Sequence, residues 1–278
     1  MFGLPWHILL PTFLGSLLAG ALSSSLGVFV IRMKLTSLGF AMSHAAFAGA
    51  ALGILLGVAD PIWTALALGV LAAAILGPLA DASRMSVDTV LAVVFPVSMA
   101  LALIFLTQAP SAGVGSGALT LLWGSLLGIT MSHVVVLAGV AVVFVAILLL
   151  SWKPFFALLL DRKLALASGL PVDGPFYALL FLVALVVATS LRVTGGLLIY
   201  SLMILPASAA LQWVYDIKKA LLLAPAFGVA ASLGGAAVSL AVDLPMGAAI
   251  TLVAAAFFLL SVGVSPKRRR ASAEPKSG

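Results

Sequence analysis

Charge is the scarcest commodity in this chain: only 8% of its 278 residues are Asp, Glu, Lys or Arg, against about 25% in an ordinary soluble domain. A soluble fold of this length needs a polar surface that so few charges do not supply, and 64% of the residues are hydrophobic. The chain reads as an all-α, polytopic helical membrane protein. The alternation of apolar and polar residues in segments of about ten, the mark of barrel strands, is missing too, and the apolar runs are continuous and longer. Cysteine is absent, which excludes thiolate metal sites and disulfides. A basic n-region is lacking at the start, so MFGLPWHILLPTF reads as the beginning of a span rather than a cleaved signal.

What is present is basic charge, a formal +6, and it flanks apolar runs instead of forming a patch interleaved with aromatics. That distribution excludes nucleic acid as a partner and points to the lipid membrane. At about 20 residues per crossing, the charges divide the chain into nine spans near 7–31, 37–58, 61–80, 88–107, 131–151, 174–191, 194–213, 220–242 and 245–263. Eight is the alternative, with one segment re-entrant. An apolar piece over 119–129 is too short to cross and follows a Gly/Ser/Pro-rich loop over 108–117.

Under this assignment Arg32, Lys34, Arg84, Lys153, Arg162, Lys163, Lys218, Lys219, Lys267, Arg268, Arg269, Arg270 and Lys276 share one side, and Arg192 stands alone on the other. The positive side is cytoplasmic, which puts the N-terminus outside and the C-terminus inside a plasma (inner) membrane. Trp6, Trp63, Trp123, Trp152 and Trp213 fall near span ends, as an aromatic belt requires. The membrane domain covers 1–264. A basic, disordered tail over 265–278 suits an anionic leaflet.

One span carries an ionisable group. In MSHAAFAGAALGILLG, starting at Met42, the small residues Ala45, Gly49, Gly53 and Gly57 recur at every fourth position, so another helix can approach closely. His44 lies on the adjoining surface. An imidazole at membrane depth is a candidate transport-path residue, and a buried neutral histidine bonded to a carbonyl is the structural alternative. His133 and His7 read as interfacial residues. A cytoplasmic loop over 152–174 contains a short helical piece with Asp161 at its start and Gly169 at its end. Such a helix suits either docking to a soluble partner or lying at the headgroups. Pro206, inside a span, frees a carbonyl and bends its helix.

Four segments, in order, resemble the permease subunit of ABC importers of the zinc/manganese/iron family. The early G-D-x-x-x-H-A element is resembled by GFAMSHA over 39–45. The cytoplasmic D-x-x-x-A-x-x-x-G element is matched by Asp161, Ala165 and Gly169. The V-G-x-L-L-x-x-x-L-x-x-x-P-A-x-x-A block is similar to VTGGLLIYSLMILPASAA over 193–210, with Thr194 as an apparent insertion. A final D-x-P-x-G element is similar to DLPMG over 243–247.

The resemblance implies an all-helical, homodimeric permease importing divalent metal along its two-fold axis. It implies two further partners, a cytoplasmic ABC ATPase and an extracytoplasmic metal-binding protein. This chain has no G-x-x-x-x-G-K-[ST] phosphate loop, so ATP hydrolysis falls to a separate chain and the subunit is not itself an enzyme. Asp161, Ala165 and Gly169 would form the helix seated on the ATPase. His44 would be the metal ligand, with Ser43, Phe40, Tyr200, Met203 and Pro206 along the path. No permanently bound cofactor is expected; the metal is cargo.

Two positions depart from the family pattern. Phe40 stands where the family has an aspartate four residues before the histidine, and Ser125 follows Trp123-Gly124 where the family often has an acid or asparagine. Both changes remove polarity. They keep open a related ABC permease for a metal chelate, siderophore or other organic cargo. An intramembrane enzyme would need a convergent catalytic set around His44, and an ion-driven carrier would need mid-membrane carboxylates; the spans supply neither.

Overall fold

The computed structural model describes residues 5–109, 124, 129–160, 169, 173–196 and 199–265. Among them ten helices follow one another: α1 Trp6–Arg32, α2 Ser37–Leu55, α3 Ile62–Ser83, α4 Val87–Gln108, α5 Met131–Leu150, α6 Trp152–Leu160, α7 Asp173–Thr194, α8 Ile199–Trp213, α9 Ile217–Val242 and α10 Met246–Val264. Eight are long and apolar enough to cross a membrane, namely α1 to α5, α7, α9 and α10. Lipid solvates no backbone polar group, so continuous helices are what such apolar segments must form.

The seventh expected span, 194–213, is not one helix. Thr194 belongs to α7, Gly195 turns the chain at φ +81°, and α8 has 15 residues, about 22 Å of helix. Only glycine adopts that backbone conformation without cost. The Gly195 amide still donates to the Leu191 carbonyl, and its own carbonyl accepts from Ile199, so the break leaves these groups satisfied. Gly124 lies against the same corner, where a Cβ would come within 2.8 Å of the Val193 carbonyl oxygen.

Although short, α8 runs alongside α10 in the same direction. Ser201 and Thr251 share a hydrogen bond of 2.7 Å near their starts, and the Ser265 hydroxyl donates to the Gln212 carbonyl at 3.1 Å near their ends.

Three helices form the interior. The apolar windows of α1, α2 and α7 are 72, 78 and 67% buried, against 22–33% for the other five long helices. Small residues allow this. Gly20 and Ser24 on α1 face Gly228 and Ser232 on α9, and a Cβ on either glycine would collide with the other's carbonyl. Gly27 brings α1 onto the backbone of α8 at Met203. Gly49 and Gly53 of the fourfold stripe meet Thr64 and Pro61 at the start of α3, whereas Gly57 packs on nothing and instead turns the chain at φ +67°. In hydrocarbon, helix association comes from such close packing rather than from expulsion of water.

Candidate functional site

His44 sits two turns into α2 and is 2% exposed. Its Nδ1 lies 2.9 Å from the Phe40 carbonyl, one turn back. A carbonyl only accepts, so Nδ1 carries the proton and Nε2 keeps the lone pair. The Ser43 hydroxyl donates to the same carbonyl at 2.7 Å and lies 3.2 Å from His44 Nδ1. A histidine whose Nδ1–H is fixed on a backbone carbonyl is arranged as metal-ligating histidines are, with the other nitrogen available.

Aromatic rings enclose this imidazole. Phe40 precedes it by one turn, and their ring centroids are 4.6 Å apart. Phe95 of α4 stands edge-on to His44 at 4.5 Å and against Phe40 at 4.5 Å. Tyr200, at the start of α8, meets Phe40 edge-on at 5.6 Å. Gly39 lets α8 close over the start of α2: a Cβ there would meet the Met203 sulfur at 2.9 Å and the Tyr200 ring at 3.4 Å. Phe40, Ser43, His44, Tyr200 and Met203 therefore gather where α2, α4 and α8 meet. Pro206 is buried one turn beyond Met203, and its missing N–H leaves the Leu202 carbonyl without the usual helical donor.

Among the described residues no group of three or more His, Asp or Glu could hold a metal ion. On α4 the acidic residue is Asp88, in the exposed first turn beside the Ser86 N-cap, seven residues before Phe95. It sits where a carboxylate favours a helix start.

His133, the third residue of α5, keeps the helix-end position of its interfacial reading but is not a surface residue. It is buried, and its Nε2 lies 3.0 Å from the Asp60 carboxylate, whose side chain is one-third exposed. His133 Nδ1 accepts from the Thr130 backbone amide at 3.1 Å, completing a capping box at the start of α5. Nδ1 is thus an acceptor and Nε2 the donor, the reverse of His44. A metal on Nε2 would have to displace the ring's one proton and its bond to Asp60, so this pair is a latch between α5 and the chain between α2 and α3.

Asp161 and Ala165 lie outside the described residues, as do the rest of 161–168, residues 170–172 and the tail beyond Ser265. Gly169 is in a turn at φ +74°, a left-handed conformation suited to the end of a helix. Phe95 was not legible in the sequence, being one of 15 phenylalanines in a run without a polar marker; its only signal is the Pro96 that follows.

Comparison with known proteins agrees with this architecture. Over 253 residues, 91% of this chain and 86% of the relative, the sequence is 28% identical to the manganese transport system membrane protein MntC of Halalkalibacterium halodurans. It is 26% identical to the high-affinity zinc uptake system membrane protein ZnuB of Haemophilus influenzae, covering 92% of this chain and 97% of that one. The fold superposes on a chain of PsaBC from Streptococcus pneumoniae in complex with Fab with a TM-score of 0.84 at 28% identity, covering 97% and 96% of the two chains. Residues 6–265 match the ABC 3 transport family, and this chain belongs to that family as a multi-pass membrane transport subunit.

Proposed function

We propose that this chain is the permease subunit of an ATP-driven importer of divalent metal ions, working as a homodimer with a separate ATPase and an extracytoplasmic metal-binding protein. The observation that carries the reading is His44: a buried histidine on a central helix, with its proton held by the Phe40 carbonyl and Nε2 left as a ligand. Manganese and zinc transport by the relatives supports the cargo class. Such a permease alternates access, and ATP-driven closure of the ATPases biases its two states through the loop carrying Asp161, Ala165 and Gly169. The metal passes His44 as cargo; a tight site would retain it.

The test is accumulation of divalent metal in liposomes containing the permease, its ATPase and its binding protein. Wild type is expected to accumulate one metal only with ATP, and His44→Ala to reduce that rate by at least about tenfold, the least that loss of a ligand costs when loss of a ligand's supporting bond costs about 10–100-fold. ATP hydrolysis with no metal accumulated by wild type would overturn the reading.

A further inference from the structure

The rings around His44 seal it as well as surround it. Resting on the reading of His44 as a path ligand, we propose that the Phe40 side chain is the cytoplasmic gate of that path, closed over His44 in this structure and opened by rotation of its ring.

Burial locates the cover. His44 is 2% exposed, whereas Phe40, Phe95 and Tyr200 are each half-buried, so the open surface begins at the rings. The cover is complete within one chain. Phe40 is the ring common to it, touching His44 on its own helix, Phe95 on α4 and Tyr200 on α8. It precedes His44 by one turn in a helix that follows the basic turn at Lys34, and therefore lies on the cytoplasmic side of the imidazole.

Beyond the rings the chemistry changes. Two turns before Phe95, on the same face of α4, stands the exposed Asp88, whose charge acts on the Tyr200 hydroxyl. An apolar layer thus separates a buried nitrogen ligand from the first carboxylate on the way out. A hydrated cation does not cross such a layer, because the rings replace none of the bonds its water would give up.

The ring can move without disturbing the ligand. The Phe40 carbonyl accepts from His44 Nδ1 and from the Ser43 hydroxyl, so the peptide stays in place while the side chain changes rotamer. Opening therefore keeps the proton on Nδ1 and uncovers Nε2. Tyr200 lies in the first turn of α8, five residues after the corner at Gly195. A shift of α8 at that corner unpacks Phe40 directly.

The absence of cysteine makes the gate testable in the full-length chain. The thiol of His44→Cys is placed in membrane vesicles that expose one face or the other, and its rate of reaction with an impermeant methanethiosulfonate is measured. With Phe40 in place it should react slowly from both faces. Adding Phe40→Ala should raise the rate from the cytoplasmic face by at least about tenfold, since losing the ring contacts together lowers the cost of opening by that factor or more. Phe40→Tyr, which keeps the ring, should not. Should Phe40→Ala fail to fold, Phe40→Leu lacks the ring and should act in the same direction. A thiol at Ala184→Cys, 0% exposed on α7, should stay unreactive throughout, which separates a local opening from a loosened fold. Equal rates with and without the ring, a rise only from the outer face, or a matching rise at Ala184→Cys would overturn the gate and leave His44 as a ligand. Metal accumulation that survives in His44→Ala would instead overturn the path, and the gate with it.

Discussion

At His44 the ring proton is held on Nδ1 by a carbonyl 2.9 Å away, whereas at His133 the same nitrogen accepts from the Thr130 amide at 3.1 Å. Two histidines in one apolar chain are thereby held as opposite tautomers, one leaving a lone pair on Nε2 and the other a proton for Asp60. The composition of the spans made His44 legible, since an ionisable group in a run of Ala, Gly and Phe has no neighbour to hide it. The bond that buries His133 was not legible, because its partner is 73 residues away and no local pattern connects them.

The latch makes a graded prediction. Asp60→Asn keeps an oxygen that accepts the His133 Nε2 proton, so it should cost little. Asp60→Ala removes the acceptor and should lower stability by about 1–2 kcal/mol, the cost of a charge-assisted bond discounted for the partial exposure of the carboxylate. Thermal unfolding in detergent should place Asn close to wild type and Ala clearly below it; equal losses in both would mean the pair is not a hydrogen-bonded latch.

Helices read well from the sequence wherever charge bounded them, and poorly where backbone geometry did. Arg192 marks a boundary in the sequence, but only the φ of +81° shows that the chain turns at Gly195, three residues later. The fourfold stripe on α2 shows the same limit. Gly49 and Gly53 press on the start of α3, while Gly57, spaced identically, is an open left-handed turn. Spacing finds a face and cannot say where the neighbouring helix ends.

Substitution separates these roles. A Cβ at Gly49 would meet the Thr64 carbonyl and, at 2.8 Å, the Ala65 Cα, so Gly49→Ala forces α2 and α3 apart and should cost about 1–3 kcal/mol. Gly57→Ala meets no atom within 4 Å and should cost only the left-handed backbone, about 1–2 kcal/mol. A second residue tells the two apart: asparagine, which tolerates a left-handed backbone, should cost less than alanine at position 57 but no less than alanine at position 49, where the clash is with backbone. Gly228→Val tests the other crossing: its side chain would enter the Gly20 carbonyl and the Ser24 hydroxyl, and loss of the α1–α9 contact should remove folded protein from the membrane fraction.

At the scale of the whole molecule, the arrangement of charges and the course of the chain must agree. Eight long helices alone would carry the N- and C-terminal ends to the same side, and would put Lys218 and Lys219 opposite Arg84. We infer that α8 supplies the ninth crossing: it accompanies α10 from Thr251 to Ser265 in the same direction, although it is shorter than the roughly 30 Å hydrocarbon core. The deficit is met where α7 stops: a Cβ on Gly15, well inside α1, would lie 3.5 Å from the Val193 side chain, and Gly195 at the corner is itself buried in protein rather than exposed to lipid. Irregular backbone at depth is tolerated only in such a place. A chain without cysteine allows a direct test, since any introduced thiol is the only one. Met85→Cys and Lys219→Cys, both at exposed positions, should react with an impermeant maleimide only when the cytoplasmic face is opened. Val58→Cys and Leu244→Cys, likewise exposed, should react in intact cells. Labelling of Lys219→Cys from outside would mean that α8 does not cross, and would reverse the sides assigned to α9 and α10 with it.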